Sequence, residues 1–187
     1  MKFAAIFLGC LSLFTVQIAA SLPTQVEGPS ALNTKLTEVG LEQKKGLVVV
    51  FLSAVCPCSN SHLNELKTLS REFPQFNFVG VHSNVDEGKD LTERYFANVN
   101  LPFPIVQDSG ARIANEFKAL KTPHAFVILQ DGAVAYEGGV SSSRNFDSAD
   151  QKFLREALSD LAADKKVRTP EGRTLGCVIS RGAKNVW

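Results

Sequence analysis

The 187 residues amount to one domain length, and their 44% apolar content is enough to bury a core. Twenty basic against 19 acidic side chains leave a formal charge of +1, without the basic excess that draws a protein to nucleic acid or to an anionic membrane surface. No nucleic-acid partner is therefore expected.

Met1-Lys2-Phe3 opens an apolar run to about Ala20 that ends in small residues, the anatomy of a bacterial-style export signal over residues 1–21, cleaved near Ala20 or Ser21. Ser12, Thr15 and Gln17 interrupt the run and Leu22-Pro23 follow it, so no stable membrane insertion is expected once the signal is removed. A lipoprotein signal ending at Gly9-Cys10 is the weaker alternative, because too few apolar residues precede it for an export core. The expected location is the periplasm or the exterior of a bacterium. Cys56, Cys58 and Cys177 then remain, an odd number in a compartment where disulfides form. At least one thiol must stay free, reactive or metal-bound.

Residues 22–45 are polar, with Pro23, Gly28 and Pro29, and read as an N-terminal segment carrying a short helix from Ser30 to Leu41. A domain over 46–163 follows. Leu47 to Ser53 is a continuous, β-branched-rich apolar run, the pattern of a strand buried on both faces. Leu63, Leu66, Leu69 and Phe73 mark an amphipathic helix over 59–73. Next come a strand at 76–82, a helix at 88–99, a strand at 104–107 and a helix at 111–120. Lys121-Thr122-Pro123-His124 interrupts the alternation before a strand at 125–129, an Asp131-Gly132 turn, a strand at 133–136 and a closing helix over 145–163. This order predicts a three-layer α/β fold with a central mixed β-sheet flanked by helices. The tail, 164–187, carries apolar Leu175 and Cys177-Val178-Ile179, which predicts that it docks on the domain.

The chemistry centres on Cys56-Pro57-Cys58 at the strand-to-helix junction. Cys56 as N-cap and Pro57 at the first helical position place a thiol against unpaired backbone N–H groups and the positive end of the helix dipole, which favour a thiolate. No charged residue lies between Gly46 and Asn64, so the helix terminus is the expected local stabiliser, with His62 and His124 as possible additions. Residues i and i+2 of a helix diverge, so a Cys56–Cys58 bridge is expected to be strained. Either that pair is a labile oxidant, or Cys177 is the partner. His62 and His82 read as hydrogen-bonded or solvated residues.

Phe51-Leu52-Ser53-Ala54-Val55-Cys56-Pro57 ahead of an amphipathic helix, with Thr122-Pro123 ahead of a strand, resembles the active-site segment and cis-proline loop of thioredoxin-like proteins. More narrowly, Cys-Pro at the helix start and Gly176-Cys177 beyond the domain make the chain similar to secreted redoxins related to the alkyl hydroperoxide reductase and thiol-specific antioxidant superfamily. The resemblance implies a thioredoxin fold, a redox-active Cys56, and Pro123 in cis against its sulfur, holding Thr122 to pair with an extended substrate. Two departures matter: the spacing is Cys-Pro-Cys, and Val49 stands where peroxiredoxins carry proline, although Ser53 fits their Thr/Ser position.

The expected activity is thiol-disulfide exchange by Cys56, with Cys58 or Cys177 as resolving thiol, a protein thiol or disulfide substrate, a redox partner protein and no cofactor. A thiol peroxidase, and a Cu(I)-binding chaperone using Cys56, Cys58 and His124, are the alternatives.

Overall fold

The computed structural model describes residues 22–182. Its strands are β1 (Gln25–Pro29), β2 (Leu36–Gly40), β3 (Gly46–Leu52), β4 (Phe76–His82), β5 (Ile105–Gln107), β6 (Lys121–Thr122), β7 (His124–Leu129), β8 (Val134–Gly138) and β9 (Cys177–Val178). Its α-helices are α1 (Pro57–Glu72), α2 (Lys89–Val99), α3 (Arg112–Glu116) and α4 (Phe153–Ala162).

The apolar run of β3 lies at the centre of a five-stranded sheet of order β5-β4-β3-β7-β8. It pairs parallel with β4 and antiparallel with β7, so the sheet is mixed as the element order predicts. Strand alternation sends Val48, Val50 and Leu52 to one face, where they meet Leu63, Leu66 and Leu69 of α1 and Leu154 and Leu158 of α4. Leu47, Val49 and Phe51 go to the other face, against Ile113, Phe117, Phe126 and the tail residue Ile179. Every residue of β3 is buried. Both layers are needed to cover it, which is why the run is apolar throughout rather than alternating.

Three expected elements differ. The helix from Ser30 to Leu41 is instead an antiparallel hairpin, β1 with β2. Pro29 and the left-handed Thr34 (φ 58°) suit a turn better than a helix, and pairing Val26 with Val39 buries both against the second face. The helix expected over 111–120 is only α3. The Asp108 carboxylate accepts the N–H groups of Ile113 (3.0 Å) and Ala114 (2.9 Å) at its start, and Lys118 is left-handed (φ 54°) beyond its end. The helix expected over 145–163 divides into a 3-10 turn at Phe146–Ser148 and α4, with Ser61 Oγ accepting the Phe146 N–H at 2.7 Å.

The expected export signal, residues 1–21, and the last five residues lie outside the described residues. No helix among the described residues is long and apolar enough to cross a membrane.

Candidate active site

The end of β3, the start of α1, the β6–β7 loop and the tail meet at one point. Cys56 is the N-cap of α1, in extended conformation (φ −81°, ψ 114°), and Pro57 begins the helix. The cysteine is 1% exposed. Thr122-Pro123 is a cis peptide, and the Thr122 carbonyl lies 3.2 Å from Cys56 Sγ. β9 pairs antiparallel with β6, bringing Cys177 opposite Thr122 and its Sγ to 2.7 Å from Cys56 Sγ.

The tail is held there from both ends. A Cβ on Gly176 would collide with the Thr122 carbonyl oxygen, so only glycine permits the approach. Past the cysteine, the Ile179 N–H donates to the Leu120 carbonyl at 2.9 Å and the Ser180 N–H to Asn84 Oδ1 at 2.8 Å, while the Ile179 side chain is buried in the core.

Cys58 is half-buried, and the three sulfurs lie within 4.8 Å of one another. The expected divergence of residues 56 and 58 does not apply, because Cys56 is the extended cap rather than a helical residue. Thr122 and Pro123 therefore sit with all three cysteines. His124 does not join the sulfurs. Its ring packs on Phe126 (4.4 Å between centroids), 3.9 Å from Glu137 Oε1, and burial takes its pKa down to about 4. His62 is also buried, bonded to the Cys58 carbonyl (2.7 Å) and Ser141 Oγ (2.8 Å); burial lowers its pKa.

Burial opposes ionisation of Cys56, but hydrogen bonds from the Cys177 thiol and from the backbone N–H groups of Ser59 and Cys177 outweigh it, lowering the pKa from 9.0 to about 7. The same proximity works against the neighbours. Burial, the bond to Cys56 and the Cys56 charge push Cys177 up to about 12, and burial and that charge raise Cys58. The cluster thus holds its first negative charge on Cys56 and its protons on the other two sulfurs.

A support that sequence reasoning missed lies beneath this loop. Glu87 accepts Ser53 Oγ–H (2.6 Å) and the Ala54 N–H (2.7 Å), contacts His82 Nε2 (3.0 Å) and bonds the Asn84 amide. Ser53 Oγ in turn accepts the N–H groups of Cys56 (3.0 Å) and Val55 (3.3 Å). Burial works against the Glu87 charge, yet the bonds from His82 and Ser53, the His82 charge and the Ala54 N–H hold its pKa down at about 2. Glu87 lies far from Cys56 in sequence, beyond the uncharged stretch between Gly46 and Asn64. Glu87 arrives from the loop after β4, adjacent in the sheet, and Asn84 from that same loop also binds the tail.

A cysteine at a helix start, a cis-proline loop beside its sulfur and a mixed sheet with helices on both faces define a thioredoxin-like thiol protein. The chain belongs to the AhpC/TSA family, whose pattern matches residues 20–137, more than half of its length. No curated protein matches it significantly. An uncharacterized conserved protein from Geobacillus kaustophilus superposes with a TM-score of 0.76 at 19% identity, over 92% of this chain and 96% of that one. The peroxidoxin BcpB from Mycobacterium tuberculosis gives 0.57 at 16% identity, over 77% and 95%. A secreted disulfide oxidoreductase from the same organism, described as homologous to E. coli DsbE, gives 0.50 at 19% identity, over 58% and 79%. Such identities establish the shared fold.

Proposed function

We propose that the chain is an exported thiol-disulfide oxidoreductase in which Cys56 is the nucleophile and Cys177 the resolving thiol. The observation that carries this reading is the 2.7 Å separation of the two sulfurs, with the tail backbone paired beside them. The Cys56 thiolate attacks one sulfur of a substrate protein disulfide; the other substrate sulfur leaves as a thiolate, and a mixed disulfide forms. Forming it removes the negative charge on Cys56, one of the causes that hold the Cys177 proton in place. Cys177 then gives that proton to the departing thiolate and attacks the Cys56 sulfur. The second substrate sulfur is expelled and the Cys56–Cys177 disulfide closes. A redox partner protein returns the pair of thiols by the reverse exchange. Electrons pass between sulfurs alone, so the chemistry needs no cofactor.

Val55 and Val178, both exposed, flank the sulfurs and suit an apolar protein surface better than a small polar oxidant. The leader-like residues 1–21, and the secreted DsbE homologue among the structural neighbours, support export. The test uses a disulfide-bonded peptide and hydrogen peroxide as rival substrates with one dithiol donor. Exchange should turn over the peptide, Cys56→Ser should abolish it, and Cys177→Ala should accumulate a mixed disulfide at Cys56. Peroxide consumption faster than peptide reduction would make the protein a peroxidase instead, with Cys56 oxidised to a sulfenic acid.

A further inference from the structure

Exchange needs two thiols, and three converge. Cys58, on the first turn of α1, has its sulfur within 4.8 Å of both others, while the proposed cycle leaves it without a task. We propose that the reduced chain binds one Cu(I) ion in a trigonal site formed by the Sγ atoms of Cys56, Cys58 and Cys177.

The donor set selects the cation. Among the described residues no carboxylate oxygen or imidazole nitrogen is grouped with these three sulfurs; the His62 ring beside Cys58 is bonded to its carbonyl. The Cys56, Cys58 and His124 combination anticipated from sequence is thereby replaced, since His124 packs on Phe126. Thiolates favour soft ions, and a site without oxygen donors does not suit Mg(II), Ca(II) or Mn(II). Structural Zn(II) takes four protein ligands, one more than is present, whereas a closed-shell monovalent ion is satisfied by three thiolates. Binding releases the thiol protons and moves no electron.

The geometry is close to what such an ion requires. A metal–sulfur distance of about 2.3 Å puts trigonal sulfurs about 4 Å apart, so the Cys56–Cys177 pair, at 2.7 Å, must part by roughly 1.3 Å, while both separations from Cys58 lie within 4.8 Å. Cys58 and Cys177 are half-buried, which leaves an approach from solvent. Cys56 is buried, which keeps one side of the site dry. The Arg144 guanidinium acts favourably on a Cys58 thiolate and offsets part of the negative charge of a three-thiolate complex. A disulfide between Cys56 and Cys177 consumes two of the three ligands, so the ion binds the reduced chain and is expelled on oxidation.

The full chain, reduced and desalted without oxygen, is titrated against the Cu(I) complex of bathocuproine disulfonate. One equivalent of Cu(I) should transfer to the protein, and X-ray absorption should show three sulfurs in a single shell. Cys58→Ser, with its fold checked by circular dichroism, should bind at least tenfold more weakly, and the wild type oxidised with diamide should take up none. Failure of the reduced wild type to compete, a shell of two sulfurs, or uptake by the oxidised chain would overturn the proposal. The wild-type sulfur count decides the matter even if the variant misfolds. Disulfide mapping of the metal-free chain tests the exchange reading separately, so the two can fail independently.

Discussion

The Cys56 thiol should titrate about two units below an ordinary cysteine, and the size of the kinetic effect follows. Lowering the pKa from 9.0 to about 7 raises the thiolate fraction at pH 7 from about 1% to about half, a gain of roughly 50-fold. A less basic thiolate is also a poorer nucleophile. A Brønsted slope of about 0.45 over two units removes roughly eightfold, so Cys56 should react with iodoacetamide about sixfold faster at pH 7 than a model thiol. The reduced chain is pulsed with iodoacetamide from pH 5 to 10 and each cysteine is followed by its own peptide fragments. Cys56 labelling should rise with a midpoint near pH 7, before Cys58 and Cys177, which are held protonated to higher pH. A Cys56 midpoint above about 8.5, or Cys177 labelling first, would refute the assignment of the thiolate. Replacing the principal donor should move the midpoint in a known direction: Cys177→Ala leaves burial less opposed, and the Cys56 midpoint should rise.

Glu87→Gln removes the charge that organises Ser53, Ala54, His82 and Asn84 and should cost about 2–3 kcal/mol, lowering the Tm by roughly 4–12 °C; a calorimetric shift under 1 °C would contradict that support. With its folded pKa held at about 2, the stability Glu87 contributes is present above the ordinary carboxylate pKa and is lost as pH falls through the folded value. Chemical denaturation between pH 5 and 2 should therefore show a steeper loss in the wild type than in Glu87→Gln. Gly176→Ala should push β9 away from Thr122 and reduce Cys56–Cys177 disulfide formation several-fold under mild oxidation. An unchanged yield would mean that the tail is not held by that close approach.

What could be read from the residues depended on how local its cause is. The burial of β3 on both faces, the cap at Cys56 and the helix start at Pro57 follow from contiguous residues, and the sequence carried each. The β1–β2 hairpin was missed because the decisive burial of Val26 and Val39 comes from a core assembled by distant elements. Glu87 escaped for the same reason, since it reaches Ser53 across 34 residues. The divergence expected of Cys56 and Cys58 assumed helical geometry at both positions, and an N-cap has extended backbone. The choice between Cys58 and Cys177 as partner could not be made from spacing. It depends on the pairing of β9 with β6, across more than 50 residues.

The central claim is that Cys56 and Cys177 form the redox pair, and trypsin separates them cleanly. Without reduction, the chain alkylated at lysis gives residues 46–67, holding Cys56 and Cys58, and residues 174–181, holding Cys177. After oxidation, mass spectrometry should find these two peptides joined, with fragmentation placing the bridge at Cys56 and an alkyl group on Cys58. A bridge inside residues 46–67, with Cys177 alkylated, would contradict the account and return the resolving role to Cys58.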